Sequence, residues 1–173
     1  MSKIIFLDID GTLNSRQYIL QQGDLWDHPS NKYTPDGKFM QSEMDPLAVA
    51  RLNRITDATG AKIVVISTWR LSYLDDDQGI YRLQDCLLSF GITGEIIGMT
   101  PEHVVPHGSI LVANGHRGTE VQTWLQEHPE VNSFIILDDE TVMGYSDHQL
   151  KTEFETGLLD THVEQVIALL GRK

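Results

Sequence analysis

The stretch that most constrains the fold lies almost at the N-terminus, where the apolar residues 4–7 run directly into Asp8, Ile9, Asp10 and Gly11. A short apolar run that ends in a turn is typical of a strand buried on both faces of a parallel sheet. In open α/β sheets, ligands bind beyond the carboxyl ends of such strands. Gly11 permits a sharp turn there and a close approach of backbone N–H groups to a ligand. The stretch therefore predicts an α/β fold with Asp8 and Asp10 at a binding site.

Two other interpretations of this acid pair deserve comparison. An Asp-x-Asp-Gly sequence is also common as an ordinary turn after a strand, and this interpretation stays open until partner residues are found elsewhere in the chain. A calcium-binding loop of the EF-hand type needs glycine at its sixth position and an acid at its twelfth. Counted from Asp8, those positions hold Leu13 and Ile19, which excludes such a loop.

The composition limits the classes of protein to which the chain can belong. Its 173 residues, 40% of them hydrophobic and 22% charged, predict a single globular domain over residues 1–173. The formal net charge of −12 disfavours strong nonspecific binding to nucleic acids or anionic membranes. Cys86 is the single cysteine, so no internal disulfide can form, and its helical pattern predicts a buried structural thiol. Asp8 and Asp10 interrupt any signal-peptide core, and no apolar run reaches the roughly 20 residues of a membrane span, so we expect a cytoplasmic protein.

Residues 14–44 show neither helical nor strand periodicity. Because about 30 residues are too few for an independent core, we expect a small flap or cap insertion that rests on the main domain. Its position directly after the acid pair favours contact with a substrate. The alternative is a loop that only packs its aromatic side chains on the core.

The rest of the chain alternates predicted helices and strands. Asp45 and Pro46 are typical of a helix start, and Gly60 of a helix end. Further strands are predicted at 62–66, 95–98, 134–137 and 148–154, and further helices at 80–90, 117–125 and 160–170. Strand–helix–strand units of this length form right-handed crossovers between parallel strands, so the pattern predicts a parallel sheet.

Two more of these strands end in polar residues, as the first does. Ser67 and Thr68 follow the second strand, where they either cap a helix or hydrogen-bond an anionic oxygen. Asp138 and Asp139 follow the fourth. Arg117 lies near a helix N-terminus, where the helix dipole disfavours a cation, so it is either exposed or held near an anion. Three polar strand ends at one edge of a sheet indicate one site rather than three unrelated turns.

Other polar residues give weaker signals. Arg70, close to Ser67 in the chain, is expected to be a surface or ion-pair arginine. His103 and His107 are four residues apart, but Pro106 breaks the helix that would align them, so a zinc site is not expected.

The predicted site contains four carboxylates, those of Asp8, Asp10, Asp138 and Asp139. A site made only of oxygen ligands is suited to Mg²⁺. Ionised Asp8 can attack phosphorus and form an aspartyl-phosphate, while Asp10 donates a proton to the leaving oxygen and later takes one from water. Ser67 and Arg117 would hold the oxygens of the transferring phosphoryl group.

In this order, the motifs resemble those of the haloacid dehalogenase-type (HAD) superfamily of phosphohydrolases. Residues 8–12 are similar to its first motif, 63–67 to its second and 135–139 to its fourth. Arg117 is the candidate for the third motif, where the superfamily more often has lysine. The resemblance implies a Mg²⁺ cofactor and a Rossmann-like sheet, in the order five-four-one-two-three, with helices on both faces. It also implies that Asp8 is the nucleophile and Asp10 the acid/base.

The resemblance extends to the class of substrate. Residues 60–70, 117–125 and 155–170 look like small stand-alone HAD proteins of bacteria and phages, some of which are linked to nucleic-acid repair. This likeness implies a phosphorylated substrate such as a nucleotide, a nucleotide-derived small molecule or a nucleic-acid end, and the acidic surface disfavours a long nucleic-acid backbone. The candidates for substrate contact are Gly11, Thr12 and Thr68. The sequence indicates no oligomeric state.

Two rival functions use similar residues. A receiver-type phosphorylation switch also has an acid pair, a phosphorylated aspartate, a hydroxyl and a cation, but there the acid pair comes first in the chain. A noncatalytic nucleotide-binding or sequestering protein on the same fold is the second rival. Such a protein usually lacks the nucleophile, whereas Asp8 and Asp10 are both present.

Overall fold

A sheet of five parallel strands forms the centre of the protein in a computed structural model that describes residues 2–21, 44–103 and 116–171. The strands are β1 (Ser2–Leu7), β2 (Lys62–Val65), β3 (Ile96–Met99), β4 (Val131–Asp138) and β5 (Gln149–Lys151). They are arranged in the order β3-β2-β1-β4-β5, and every neighbouring pair is parallel. This is the predicted strand order read from the other edge, so the Rossmann-like α/β fold is confirmed.

Helices connect the strands within the described ranges. They are α1 (Arg16–Gln21), α2 (Pro46–Thr59), α3 (Gly79–Ser89), α4 (His116–Glu127) and α5 (Asp160–Gly171), with short 3₁₀ helices at Thr68–Tyr73 and Ser146–His148. In α2, local sequence sets both ends, as predicted. The Asp45 side chain accepts a hydrogen bond from the Leu47 N–H at 2.8 Å, and Gly60 closes the helix in the left-handed conformation.

Each face of the sheet carries its own hydrophobic core. On one face, Ile5 and Leu7 of β1 pack among apolar residues of α2, α3 and α5. On the other face, Ile4 and Phe6 pack against α4, where the Phe6 ring meets the Trp124 ring edge-on at a centroid distance of 5.4 Å. Helices therefore cover both faces, which explains why β1 is apolar along both of its sides.

The register of the sheet brings the ends of β1, β2 and β4 to the same edge. Leu7 is paired with Val65 on one side and with Leu137 on the other. The pairing with β4 continues one residue further, because the Asp8 N–H donates to the Leu137 carbonyl at 2.9 Å. The polar residues that follow these three strands therefore emerge close to one another.

The segment at 14–44 differs in part from the prediction. It begins with α1, which has six residues and no apolar periodicity long enough to indicate a helix. The Tyr18 N–H donates to Ser15 Oγ at 3.2 Å at the start of this helix, and Ile19 is buried. Residues 22–43 lie outside the described residues, so the flap or cap insertion and the single domain over 1–173 stay predictions.

The structure gives the surroundings of two side chains for which predictions were made from the sequence. Cys86 is half-buried rather than buried, because it lies on the border of the inward face of α3. Arg70 was expected to be a surface or ion-pair arginine, and it is an ion-pair arginine: it is 2% exposed, and its partner is Glu120. Within the described ranges, no helix is both long and apolar enough to cross a membrane.

Candidate active site

Three carboxylates converge where β1 and β4 end. Asp8 follows β1, Asp138 is the last residue of β4, and Asp139 comes next. One oxygen atom of each side chain lies within 4.8 Å of the other two. Asp8 and Asp138 are 1% and 0% exposed, so their charges are held away from bulk water. The structure thus brings together three of the four acids that the sequence singles out.

Gly11 makes room for one of these acids. Its φ angle is 73°, in the left-handed region that favours glycine. A Cβ atom built on Gly11 would lie 2.6 Å from Asp139 Oδ2, which is too close for two nonbonded atoms. Both the backbone conformation and the available space therefore require glycine, and the predicted importance of Gly11 has a structural cause. Its contact with a substrate stays a prediction.

Arg117, in the first turn of α4, connects two of the acids. Its Nη1 donates a hydrogen bond to Asp138 Oδ2, and its Nη2 lies 3.3 Å from Asp8 Oδ1. The second contact is an ion pair without hydrogen-bond geometry, so Asp8 Oδ1 is a buried oxygen with no hydrogen-bond partner among the described residues. Two buried carboxylates outweigh the unfavourable helix dipole, which explains a cation at this end of α4.

Burial and mutual repulsion shift the pKa values of these groups. Burial raises the pKa of Asp8 well above its usual value; Arg117 opposes this shift, and the neighbouring acids add to it. Burial likewise raises the pKa of Asp138 and of Asp139. Burial alone would lower the pKa of Arg117, but the charges of Asp8 and Asp138 outweigh it and raise that pKa. Three carboxylates thus face one guanidinium, which leaves an excess of negative charge.

The donor set fits a magnesium ion. Mg²⁺ prefers oxygen ligands and is usually held by one or two carboxylates, with water and substrate oxygens completing its coordination. The cluster offers carboxylate oxygens within 4.8 Å of one another, and Asp8 Oδ1 has no hydrogen-bond partner within the described part of the chain. Asp8, Asp138 and Asp139 are therefore the residues that would hold the ion.

The Asp10 carboxylate is not part of this cluster. Its Oδ1 accepts a hydrogen bond from Asn14 Nδ2 at 2.7 Å, and its Oδ2 accepts one from the Trp69 indole Nε1 at 3.0 Å. The side chain is thus held beside the cluster rather than within it. The role of Asp10 as an acid/base stays a prediction, and its predicted role as a metal ligand has no support from the side-chain geometry.

The predicted hydroxyl residues occupy three different environments. Ser67 is fully buried, and its Oγ accepts a long hydrogen bond of 3.4 Å from the Trp69 N–H at the start of the 3₁₀ helix. Thr68 is exposed. Thr12 is buried, and its Oγ1 lies 3.1 Å from Thr152 Oγ1, just beyond β5. Ser67 therefore serves at least as a helix cap, and the packing of Thr12 indicates a structural bond. Substrate contact by Ser67, Thr68 or Thr12 stays a prediction.

A cleft of about 650 Å³ opens beside the acids. Arg117 and Asp139 line it, which connects the cleft to the carboxylate cluster. Its other lining residues include Thr68, His116 and Lys151. The cleft is within the size range of small-molecule sites, so it can accept a group much larger than phosphate.

Several contacts around the site were not predicted from the sequence. Arg70 and Glu120 form a buried ion pair, with Nη2 and Oε2 2.7 Å apart. Arg70 also donates to the Ile66 carbonyl at 2.6 Å and to the Thr100 carbonyl at 2.8 Å, so it ties together the chain beyond β2, the chain beyond β3 and α4. Nothing in the sequence marks Glu120 as its partner. Trp69 and Asn14 were also missed, although each lies near a predicted motif.

Comparison with known proteins relates these features to a family. No curated protein and no solved structure matches the chain. A family model described as the HAD domain in Swiss Army Knife RNA repair proteins matches residues 4–163, a range that includes the whole carboxylate cluster and Arg117. The match confirms the resemblance to the HAD superfamily and indicates a hydrolase of the phosphatase type. The chain therefore belongs to the family of HAD domains found in Swiss Army Knife RNA repair proteins.

Proposed function

We propose that the protein is a Mg²⁺-dependent phosphatase that hydrolyses phosphate monoesters through an aspartyl-phosphate on Asp8. The observation that carries this proposal is the environment of Asp8: a buried carboxylate beside Arg117, with two further acids within ligand distance. The family match supports the same class of reaction.

The proposed reaction has two steps that the residues of the chain can perform. In the first, an oxygen of Asp8 forms a bond to phosphorus, and the bond from phosphorus to the leaving oxygen breaks. Arg117 and the Ser67 hydroxyl hold the nonbridging oxygens, and Asp10 gives its proton to the leaving oxygen. In the second, Asp10 takes a proton from water, whose oxygen bonds to phosphorus. Inorganic phosphate leaves, and the Asp8 carboxylate is restored.

Asp8, Asp138 and Asp139 would hold the magnesium ion. When bound, the ion supplies positive charge that offsets the repulsion between an anionic nucleophile and an anionic phosphoryl group. Arg117 contributes to the same end, because its guanidinium pairs with Asp8 and Asp138. The excess of carboxylates over cations in the cluster supports a need for this additional charge.

We further propose that the substrate is a nucleotide, a nucleotide-derived small molecule or the phosphorylated end of an RNA. The description of the family as a domain of RNA repair proteins supports this class. The cleft beside Arg117 and Asp139 has room for a nucleoside attached to the phosphate. The net charge of −12 favours recognition of a terminal group over extended contact with a phosphate backbone.

The test is phosphate release from a panel of esters with and without Mg²⁺. The panel contains p-nitrophenyl phosphate, uridine 3′- and 5′-monophosphates, and short oligoribonucleotides phosphorylated at either end. Wild-type protein is expected to release phosphate in the presence of Mg²⁺, and this release is expected to stop when excess EDTA is added. Asp8→Asn is expected to be inactive, because an amide is not a nucleophile. Asp57→Asn, at an exposed acid of α2, is the matched control and keeps full activity.

The outcomes separate the proposal from its rivals. A wild-type protein that is inert on the whole panel but binds one nucleotide tightly contradicts the proposal and favours a sequestering protein. A stable phosphoprotein that does not turn over favours a phosphorylation switch. Activity that survives Asp8→Asn contradicts the aspartyl-phosphate.

A further inference from the structure

The Asp10 carboxylate is held by two donors from different parts of the chain. Asn14 lies four residues further along the same loop, and its amide donates to Oδ1 at 2.7 Å. Trp69 lies 59 residues away, and its indole N–H donates to Oδ2 at 3.0 Å. Among the residues that the structure describes, each carboxylate oxygen therefore has one side-chain donor. We refer to Asn14 and Trp69 together as the Asp10 clamp.

Further contacts fix both donors in place. The Gly11 N–H donates to Asn14 Oδ1 at 3.1 Å, so the amide of Asn14 is oriented with its NH₂ group toward Asp10. The Trp69 ring is 9% exposed and packs edge-on against the Phe90 ring at a centroid distance of 6.1 Å. The donors are thus positioned before any substrate binds, which is the condition for an effective positioning contact.

The chemistry of the clamp determines where Asp10 can carry a proton. An indole N–H only donates, and the Asn14 amide donates through its nitrogen, so neither group can accept a proton from Asp10. Each oxygen of Asp10 keeps a second lone pair, outside the clamp, where a proton can reside. The clamp therefore leaves the proton-bearing position of Asp10 free for the reacting oxygen.

We propose that Trp69 and Asn14 are positioning residues that hold Asp10 for proton transfer to the leaving oxygen. This inference depends on the proposed phosphatase activity and on the acid/base role of Asp10. In the step concerned, the bond from phosphorus to the leaving oxygen breaks as that oxygen takes the Asp10 proton. The Asp10 carboxylate then takes a proton from the attacking water. The clamp contributes no atoms to either transfer; it sets the position of the carboxyl group.

The test compares leaving groups. p-Nitrophenol departs as a stable phenolate and needs no proton, whereas a sugar or glycerol hydroxyl must be protonated as it leaves. We use p-nitrophenyl phosphate and whichever of uridine 3′-monophosphate, uridine 5′-monophosphate and β-glycerol phosphate the wild type hydrolyses fastest. Trp69→Phe, which keeps an aromatic ring but removes the N–H, is expected to lower kcat/KM for the alkyl ester by about 10-fold or more and for the aryl ester by less than about 3-fold.

Two further variants show whether a loss of activity in Trp69→Phe comes from the lost hydrogen bond to Asp10 or from altered packing of the core. Trp124→Phe changes a similarly buried indole in the core on the other face of the sheet, and it is expected to leave the ratio of the two kcat/KM values unchanged. Asn14→Asp keeps an acceptor for the Gly11 N–H but replaces the donor to Asp10 by a second carboxylate. Like Trp69→Phe, it is expected to lower kcat/KM for the alkyl ester relative to kcat/KM for the aryl ester. It replaces Trp69→Phe in the test if that variant does not fold.

A double-mutant cycle assigns the effect to Asp10. In the Asp10→Asn background, Trp69→Phe is expected to have no further effect on kcat/KM for the alkyl ester, because the acid through which it acts is gone. Equal losses on both esters, no loss on either, or an undiminished effect in the Asp10→Asn background would overturn the positioning role. A wild type that hydrolyses only the aryl ester overturns this inference but not the phosphatase. If the wild type hydrolyses neither the aryl nor the alkyl ester, the proposed phosphatase activity is contradicted as well.

Discussion

The residues of the site carry more buried negative charge than their one cation can balance, whereas the buried Arg70 and Glu120 pair one to one. Asp8 and Asp138 are almost fully buried, and with Asp139 they share one guanidinium, that of Arg117. Such groups destabilise the folded state unless their charges are compensated, so they are retained for function rather than for stability. The stability of the metal-free protein should therefore increase when one of these charges is removed.

Asp139→Asn tests this expectation. In EDTA, the variant is expected to be more stable than the wild type by about 1 kcal/mol, which corresponds to a rise in Tm of about 2–4 °C for a domain of this size. In Mg²⁺, the wild type gains stability by binding the ion, and the variant is expected to gain much less. Thermal unfolding in the two buffers measures both effects, with Asp57→Asn as the control. A variant that is no more stable in EDTA, yet responds normally to Mg²⁺, would show that Asp139 belongs to no ion site.

Gly11→Ala tests whether glycine is needed at this position only for its backbone conformation or also for the space that it leaves to Asp139. Gly11 and Gly144 both have positive φ angles, 73° and 86°, but only at Gly11 would a Cβ meet another side chain, that of Asp139. Alanine at Gly144 is expected to cost about 1 kcal/mol through backbone strain alone. Alanine at Gly11 should cost more and should also weaken Mg²⁺-induced stabilisation, because Asp139 is displaced. Urea unfolding compares the two variants, and equal costs would contradict the close packing of Gly11 on Asp139.

The elements around the site are joined by the buried pair of Arg70 and Glu120. Arg70 lies in the 3₁₀ helix Thr68–Tyr73, which follows β2, and Glu120 lies one turn after Arg117 in α4. Their contact therefore fixes α4 against the chain that follows β2. The position of α4 in turn sets the reach of Arg117 to Asp8 and Asp138.

Arg70→Met is expected to be strongly destabilising. It leaves the Glu120 carboxylate buried without its cation, a change that costs about 3–5 kcal/mol. The matched control is Lys62→Met, which breaks the exposed pair of Lys62 and Glu95, 2.9 Å apart, and should cost less than about 1 kcal/mol. Denaturant unfolding measures both. If the two variants lose similar amounts of stability, Arg70 does not join α4 to the sheet.

The order of elements could be predicted from the sequence because β1 to β4 each contain a short apolar run, and three of these strands end in polar residues. Parallel crossovers then place Asp8, Ser67 and Asp138 at one edge. The partners of Arg117 could not be derived in this way, since its reach depends on how α4 packs. The helix α1 was missed because six residues are too few for a periodic signal. The contact of Asp10 with Trp69, 59 residues apart, requires the folded chain.

For the molecule as a whole, the net charge of −12 disfavours extended contact with a nucleic-acid backbone. A protein that recognises only a terminal phosphate neutralises few backbone charges and releases few counterions. The charged residues that line the cleft are three cations and four acids, namely Arg70, Arg117, Lys151, Glu102, Glu120, Asp139 and Glu140. The cleft therefore has no excess of positive charge to hold a long phosphate backbone.

We therefore expect kcat/KM on phosphorylated oligoribonucleotides to depend weakly on length and salt. With one or two phosphates contacted, log(kcat/KM) should fall with log[salt] at a slope no steeper than about −1.5. Oligomers of increasing length, each with one terminal phosphate, measure this dependence. A steep slope, or a strong gain in kcat/KM with length, would indicate that the chain grips an extended backbone.

Trapping the covalent intermediate tests the central claim most directly. Protein that is turning over p-nitrophenyl phosphate in Mg²⁺ is quenched in acid and treated with borohydride, which reduces an aspartyl-phosphate to homoserine, and the modified residue is located by peptide mass spectrometry. The account predicts homoserine at position 8, and none in Asp8→Asn protein. Homoserine at another aspartate, or rapid turnover with no trapped residue, would contradict it.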